Sequence, residues 1–146
     1  MKTWRPEPQI LVKVIGLCRH RKRLLAMEVL TDSGALKGVR PLGGRVEFGE
    51  SREDALKREF REELGAEIVT SGSWKFFENI YQHEGSLGHE YLFAMNITLL
   101  DTALYSREVI VFSEDSGSDS HARWFDIKAL KTGEVELFPP PLLAHI

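Results

Sequence analysis

Residues 44–66 read GRVEFGESREDALKREFREELGA, and this stretch predicts the helix around which the chain is built. Ser51 is suited to cap a helix N-terminus, and Asp54 three residues later completes a weak capping box. The segment from Arg52 to Leu64 has no Gly, Pro or β-branched residue, so it strongly favours helix. Gly65 is then suited to end the helix, because glycine readily adopts the left-handed conformation found at helix C-termini. The stretch therefore predicts one helix over 52–64.

Carboxylates crowd one face of this predicted helix. Glu59, Glu62 and Glu63 stand at offsets of three and four, so they lie on neighbouring turns. Like charges at this spacing repel each other unless a cation lies between them. Hard divalent cations prefer oxygen ligands and often bridge them to substrate phosphates. The helix therefore predicts a metal-binding face. An adjoining apolar stripe is formed by Leu56, Phe60 and Leu64.

The spacing of residues 44–66 resembles the Nudix box, the signature of hydrolases that cleave nucleoside diphosphates linked to another group. One position departs, because Ala66 stands where the family usually has a larger aliphatic side chain. That position packs rather than reacts. A chance match at so many fixed positions is improbable. The matching positions are Gly44, Glu50, Arg58, Glu59, Phe60, Glu62, Glu63 and Gly65.

The resemblance implies an α/β fold, namely a curved mixed β-sheet sandwiched between α-helices. It also implies metal-dependent hydrolysis of a diphosphate linkage in a small nucleotide, with Mg²⁺ as cofactor and Mn²⁺ as a substitute. The implied ligands are Glu59, Glu62, Glu63 and the carbonyl of Gly43. Many small Nudix proteins dimerise, so the resemblance is compatible with a homodimer, and no residue of the sequence decides it.

The role of Arg58 and the identity of the general base stay open at this point. Arg58 either pairs with exposed neighbours on the helix or, as the resemblance implies, with Glu50 to fix the preceding loop. The base is Glu59 or a carboxylate outside the box, with Glu90 the first candidate. An equal reading makes Glu90 a strand-end carboxylate that orients a neighbour. Further candidates are Glu108 and Glu114.

The sequence does not select the substrate or exclude every other function. Nucleoside triphosphates, nucleotide sugars, dinucleoside polyphosphates and capped RNA all carry the required linkage. An alternative is a Nudix-fold nucleotide sensor without turnover, against which the complete set of carboxylates argues. A non-catalytic acidic interaction domain is made improbable by the spacing of glycines and glutamates.

Composition favours a cytoplasmic, globular protein. With 146 residues the chain is long enough for a full core, so a single domain over 1–146 is expected. An apolar content of 42% argues against disorder, and a net charge of −3 against a stable nucleic-acid partner. The sequence has no apolar stretch that would span a membrane and no signal-peptide pattern. The single Cys18 excludes an intrachain disulfide, and its apolar neighbours favour a buried thiol.

The rest of the chain alternates apolar runs with polar turns, which supports the α/β class. The basic run Arg19–Arg23 resembles a phosphate-binding patch, but a solvated hairpin turn is the favoured interpretation. The segment 113–121 is expected to be a polar loop, and its aspartates lack the ligand order of a calcium loop. Loops or turns are also expected over 31–38 and 82–88. Strands are expected over 10–17, 24–30, 67–70, 73–81, 89–100, 109–112 and 123–126, with a short helix over 127–130.

Overall fold

The computed structural model describes residues 4–113 and 119–146. Its strands are β1 (Ile10–Leu17), β2 (Arg19–His20), β3 (Arg23–Leu30), β4 (Leu36–Arg40), β5 (Gly43–Arg45), β6 (Ile68–His83), β7 (Ser86–Leu99), β8 (Val109–Ser113) and β9 (Asp119–Asp126). Its α-helices are α1 (Arg52–Leu64) and α2 (Ile127–Thr132), and short 3-10 helices span Thr102–Ser106 and Pro140–His145. Among the described helices, none has both the length and the apolarity needed to cross a bilayer.

The strands form two sheets. The first has the order β5-β1-β7-β6, in which β1 and β7 run parallel and the other neighbours run antiparallel. The second is antiparallel and has the order β2-β3-β9-β8, with β4 also paired to β3. This arrangement of mixed sheets and helices confirms the predicted α/β fold.

Helix α1 begins and ends where its capping residues predict. The Ser51 side chain accepts a hydrogen bond from the Asp54 backbone N–H at 3.1 Å. At the other end Gly65 adopts the left-handed conformation, with φ of 64°, and its N–H bonds to the Arg61 carbonyl at 2.9 Å. Both ends satisfy backbone groups that would otherwise lack partners, so local chemistry alone sets the length of this helix.

Strand β1 separates the two halves of the core. Its side chains alternate, so Val14 packs in the cluster that contains α1, while Ile15 packs in the cluster that contains α2 and the C-terminal segment. Phe60 is 1% exposed and lies over Gly16, where a Cβ would come within 2.7 Å of its ring. Burying a phenylalanine this completely stabilises the fold by about 2 kcal/mol. The close fit therefore seats α1 on β1 at one position.

Several strands are longer than their apolar runs. β6 is one strand with an irregularity after Ser71, rather than two separate strands. The turn expected over 82–88 consists of Glu84 and Gly85, both with positive φ, as tight hairpins require. The loop expected over 31–38 is shorter, since β4 begins at Leu36. Backbone pairing continues through polar residues because the main chain of each residue forms the hydrogen bonds between strands, whatever its side chain.

The loop expected over 113–121 is also shorter than its polar composition suggests. β8 and β9 pair up to Ser113 opposite Asp119, and His121 lies within β9. Glu114 and the rest of 114–118 lie outside the described residues. The C-terminal segment packs on the body as its apolar residues predict, with Leu137 and Leu142 buried.

Cys18 is fully buried, as predicted, and burial raises the pKa of its thiol to about 11. We expect iodoacetamide at about pH 8 to alkylate the native protein at least about a hundredfold more slowly than the urea-unfolded protein, because the thiolate is the nucleophile. Mass spectrometry of timed samples measures the two rates. Similar rates in the two states would contradict the buried position.

Candidate active site

The glycine turn before α1 is held against β1. Gly43 and Gly44 pair with Ile15 and Val14, and the Val46 N–H bonds to the Val12 carbonyl at 2.8 Å. The loop then closes through a bond from the Glu50 N–H to the Glu47 carbonyl at 3.0 Å. These bonds bring the turn and the first half of α1 together.

Gly44 leaves space that the Glu59 carboxylate occupies. A Cβ at Gly44 would overlap that carboxylate, so the residue type here is set by the close approach of a functional side chain. The Glu59 side chain is 15% exposed, whereas that of Glu62 is 52% exposed. Glu63 is half-buried on the same helix. The carboxylate face, formed by Glu59, Glu62 and Glu63, therefore opens from a sheltered edge beside Gly44 towards solvent.

Arg58 joins the loop, the turn and the carboxylate face. Its Nε and Nη2 donate to the two oxygens of Glu50 at 2.7 and 2.9 Å, and Nη2 also donates to the Arg45 carbonyl at 2.9 Å. Its Nη1 contacts Glu59 at 3.0 Å and Glu62 at 3.3 Å. Both pairings considered for Arg58 are therefore present. Its hydrogen bond holds the pKa of Glu50 below the ordinary value, while the carboxylates raise the pKa of Arg58.

Gly43 begins β5, and its proposed role as a carbonyl ligand depends on the motif rather than on a contact. Of the other candidates, Glu108 is exposed, lines a separate cavity near Tyr105 and does not belong to this site. Glu114 is outside the described residues. The carboxylates assembled around the glycine turn are thus those of the box itself.

Glu90 is buried, and its oxygens are already engaged. Oε2 lies 3.1 Å from the Lys13 Nζ, and Oε1 accepts a hydrogen bond from the Asn79 side chain at 3.1 Å. Lys13 is on the same side of β1 as Ile15, whereas Val14 is on the α1 side. Glu90 therefore lies across the first sheet from α1 and is held in an ion pair.

Two cations beside Glu90 were not singled out in the sequence. Burial and, next, the neighbouring charge of Arg40 lower the pKa of Lys13, and Glu90 opposes that shift. The Lys13 ammonium also lies 5.4 Å from the ring centroid of Trp4. A lone lysine inside the apolar run ILVKVIGL is the signal that marks this position. Arg40 has no comparable signal, since it precedes the Pro-Leu-Gly-Gly turn as an ordinary polar residue.

The family model described as the NUDIX domain matches residues 8–146 of the chain. The chain belongs to the Nudix family. It is therefore an enzyme of the pyrophosphohydrolase class. Its relatives include the nucleoside triphosphatase NudI of Klebsiella pneumoniae subsp. pneumoniae, 29% identical over 103 residues that cover 69% of this chain and 74% of the relative. NudI of Escherichia coli O139:H28 is 33% identical over 104 residues, with the same coverage of both chains.

Solved Nudix structures share the fold. The solution structure of the E. coli ORF135 protein has a TM-score of 0.60 at 22% identity and covers 93% of this chain and 87% of its own. A NUDIX hydrolase from Nitrosomonas europaea has a TM-score of 0.59 at 19% identity, with 93% and 85% covered. At these identities the likeness concerns the fold alone, and it agrees with the sheets described above.

Nudix hydrolases generally use divalent metal ions, and the carboxylates of α1 are the donor type that such an ion prefers. The donor set is carboxylate oxygen, and Gly44 leaves the Glu59 carboxylate beside the backbone. Among the described residues, no three carboxylate, histidine or cysteine side chains are gathered closely enough to hold a metal ion. Arg58 lies between Glu59 and Glu62 instead, and the exposed Glu62 side chain has room to turn towards a cation.

We expect Arg58→Lys to lower Nudix activity by about tenfold to a hundredfold and to destabilise the fold by about 1–3 kcal/mol. Lysine keeps the charge but cannot bond both Glu50 oxygens and the Arg45 carbonyl together. Steady-state hydrolysis and urea unfolding measure the two effects. Arg61→Lys is the matched control, because Arg61 holds one exposed carboxylate, Glu67, on the same helix. Equal effects of the two changes would contradict the view that the contacts of Arg58 with Glu50 and the Arg45 carbonyl hold the loop against α1.

Proposed function

We propose that this Nudix hydrolase cleaves the diphosphate linkage of a nucleoside triphosphate in the cytoplasm, with Mg²⁺ as its cofactor. The observation that carries the proposal is the Glu59 carboxylate packed against Gly44 beside the other two carboxylates of α1. The nucleoside triphosphatases of two bacteria, which are similar over 69% of the chain, support the substrate class.

The residues of the carboxylate face have distinct tasks in this proposal. A diphosphate linkage resists attack because its anionic oxygens repel nucleophiles, and a divalent cation supplies charge neutralisation and a water of lowered pKa. Glu62 and Glu63 would hold that cation, with Glu59 and the Gly43 carbonyl at its sheltered side. Arg58 keeps Glu59 in place through its bond to Oε1. Water adds to one phosphorus, the bond from that phosphorus to the bridging oxygen breaks, the bridging oxygen leaves with the other phosphate group, and a carboxylate receives the proton of the water.

We assign to Glu59 the role of the general base that receives the proton of the attacking water, and to Glu90 a positioning role. Glu59 lies at the glycine turn, whereas the oxygens of Glu90 are bound by Lys13 and Asn79 across the sheet. A base needs an oxygen within reach of the attacking water. The arrangement around Glu90 instead neutralises a buried lysine and holds it in one position.

We expect Glu90→Gln to keep kcat within about tenfold and to destabilise the fold by about 3 kcal/mol, because Lys13 would remain buried without its carboxylate. Hydrolysis at saturating substrate and guanidinium unfolding measure the two quantities. Removal of the other partner, Asn79→Ala, serves as the control, since it leaves the Glu90 carboxylate and its ion pair with Lys13 in place. A kcat loss of about a thousandfold with unchanged stability would instead make Glu90 the base.

The proposal is tested by phosphate release over a panel of nucleotides with Mg²⁺, with Mn²⁺ and with chelator. Release is coupled to pyrophosphatase for nucleoside triphosphates and to alkaline phosphatase for nucleotide sugars and dinucleoside polyphosphates, whose cleavage products are phosphomonoesters. The expected result is metal-dependent release from nucleoside triphosphates and little from nucleotide sugars or dinucleoside polyphosphates. Release from another class alone would overturn the substrate proposal. Nucleotide binding by thermal shift without any release would favour a nucleotide sensor.

A further inference from the structure

A cavity lies beyond the C-terminal end of β1. Its volume is about 690 Å³, within the range of small-molecule sites. It is enclosed by the β2–β3 hairpin, the end of β7 and the segment from Thr102 to Glu108. Its charged and aromatic lining includes Arg19, His20, Arg21, Arg23, Arg107 and Trp124. We call it the arginine-lined cavity.

The cavity concentrates positive charge in a chain whose net charge is −3. Its lining has four arginines against one carboxylate, Glu108. Arg19 is held by the His145 carbonyl at 3.0 Å and by the Asn96 side chain at 2.8 Å. Within 4–113 and 119–146, none of the other three arginines forms a salt bridge. Most of the guanidinium donors are therefore available to an anion.

Aromatic rings form the wall behind these arginines. The His20 ring lies 4.7 Å from that of Tyr105, which stacks on Trp124 at 5.5 Å. Tyr105 uses its hydroxyl to accept the Leu99 N–H at 2.8 Å. Trp124 is 8% exposed, and in the described part of the chain its buried indole N–H has no hydrogen-bond acceptor. A buried donor without an acceptor is uncommon and disfavoured, so a ligand oxygen would satisfy it.

This cavity is separate from the carboxylate face. The glycine turn pairs with Val14 and Ile15 inside β1, whereas the lining of the cavity begins after β1, at Arg19, and includes no residue of the carboxylate face. The basic run from Arg19 to Arg23 forms a hairpin turn, with Arg21 and Lys22 at positive φ, as the sequence suggests. The turn nevertheless places its arginines on a concave surface rather than in free solvent.

We propose that the arginine-lined cavity binds a nucleoside monophosphate, at a site distinct from the one that hydrolyses substrate. Guanidinium groups bind phosphate oxygens in paired hydrogen bonds, and the three terminal oxygens of a phosphate monoester can bind more than one arginine at a time. The planar His20 side of the aromatic wall offers a surface on which a base can stack. The proposal does not depend on the reaction at the carboxylate face, because it uses none of those residues.

The test is isothermal titration of the full chain with adenosine and guanosine monophosphates and with inorganic pyrophosphate, in chelator so that no metal loads the carboxylate face. We expect saturable binding of a monophosphate with a Kd of about 1 mM or tighter, and at least about tenfold weaker binding of pyrophosphate. No saturable binding of either nucleotide would overturn the proposal. Equal affinity for pyrophosphate would overturn the assignment to a nucleotide.

Matched variants locate the binding. The double change Arg21→Gln with Arg107→Gln is expected to weaken monophosphate binding by at least about tenfold. Trp124→Phe, which removes the indole N–H donor together with part of the ring surface, is expected to weaken it by about fivefold. Lys128→Gln with Lys131→Gln removes the same charge from α2 and is expected to change the affinity less than twofold. Equal losses in the two double variants, or loss of binding in Glu62→Gln with Glu63→Gln, would overturn the location. Circular dichroism verifies that each variant is folded.

Discussion

Glu63→Gln should lower kcat by at least about a thousandfold while the protein stays folded, which corresponds to about 4 kcal/mol of lost transition-state stabilisation. Glutamine keeps the size of the side chain but removes the charge that would hold a divalent cation on the carboxylate face. The residue is half-buried on α1, one turn beyond Glu59, and neither the Ser51 cap nor the Gly65 cap uses its side chain. Hydrolysis measured over a range of Mg²⁺ concentrations gives kcat and the apparent metal affinity.

Glu53→Gln is the matched control for this change. It removes the same charge from the first turn of α1, where Glu53 accepts a hydrogen bond from the exposed Thr70 side chain at 2.9 Å. Its kcat should stay within about threefold of the native value, because a surface contact contributes little. Full activity of Glu63→Gln at saturating Mg²⁺ would remove Glu63 from the ligand set.

Gly43→Ala should destabilise the protein by about 3 kcal/mol or more. A Cβ at this position would lie 2.7 Å from the Ile15 Cα and would overlap the Val14 carbonyl oxygen. Both are backbone atoms in the centre of the first sheet, so neither can move without breaking strand pairs with β5 or β7. Urea unfolding followed by far-ultraviolet circular dichroism measures the loss.

Gly34→Ala is the control for Gly43→Ala, because it tests the effect of backbone conformation without steric overlap. Gly34 has φ of 87°, and a Cβ there would meet no atom within 4 Å. Its change should lower stability by about 1 kcal/mol, the amount expected for moving a residue with a Cβ into the left-handed region. If the two variants lost the same amount, the close approach of Gly43 to β1 would not be what requires glycine.

Helix α1 was predictable because its determinants are local. The bond from the Ser51 side chain, the absence of breaking residues and the left-handed Gly65 lie within one segment, and the structure reproduces the predicted 52–64. Family membership was predictable for the same reason, since all its diagnostic residues fall between Gly44 and Gly65. The ligand roles of those residues remain predictions that the variants above test.

Strand ends were predicted less well because they depend on pairing of the main chain, which the pattern of apolar and polar side chains does not show. The hairpin of β6 and β7 extends through His83 and Ser86, polar residues that a hydrophobic pattern assigns to a turn. Pairing of the main chain holds them in the sheet, and His83 is even buried, with 4% of its surface exposed. The type of a residue does not show whether its backbone is paired with another strand.

The sequence by itself determined the helix, its carboxylate face and the family, because helical periodicity and capping chemistry act over a few residues. Only the tertiary structure decided that Glu90 meets Lys13 across two strands, and that Arg107 joins the hairpin of Arg21 around one cavity. These groups are more than 70 residues apart in the chain. They come together because hydrophobic burial and strand pairing bring distant segments into contact, and no local pattern encodes that meeting.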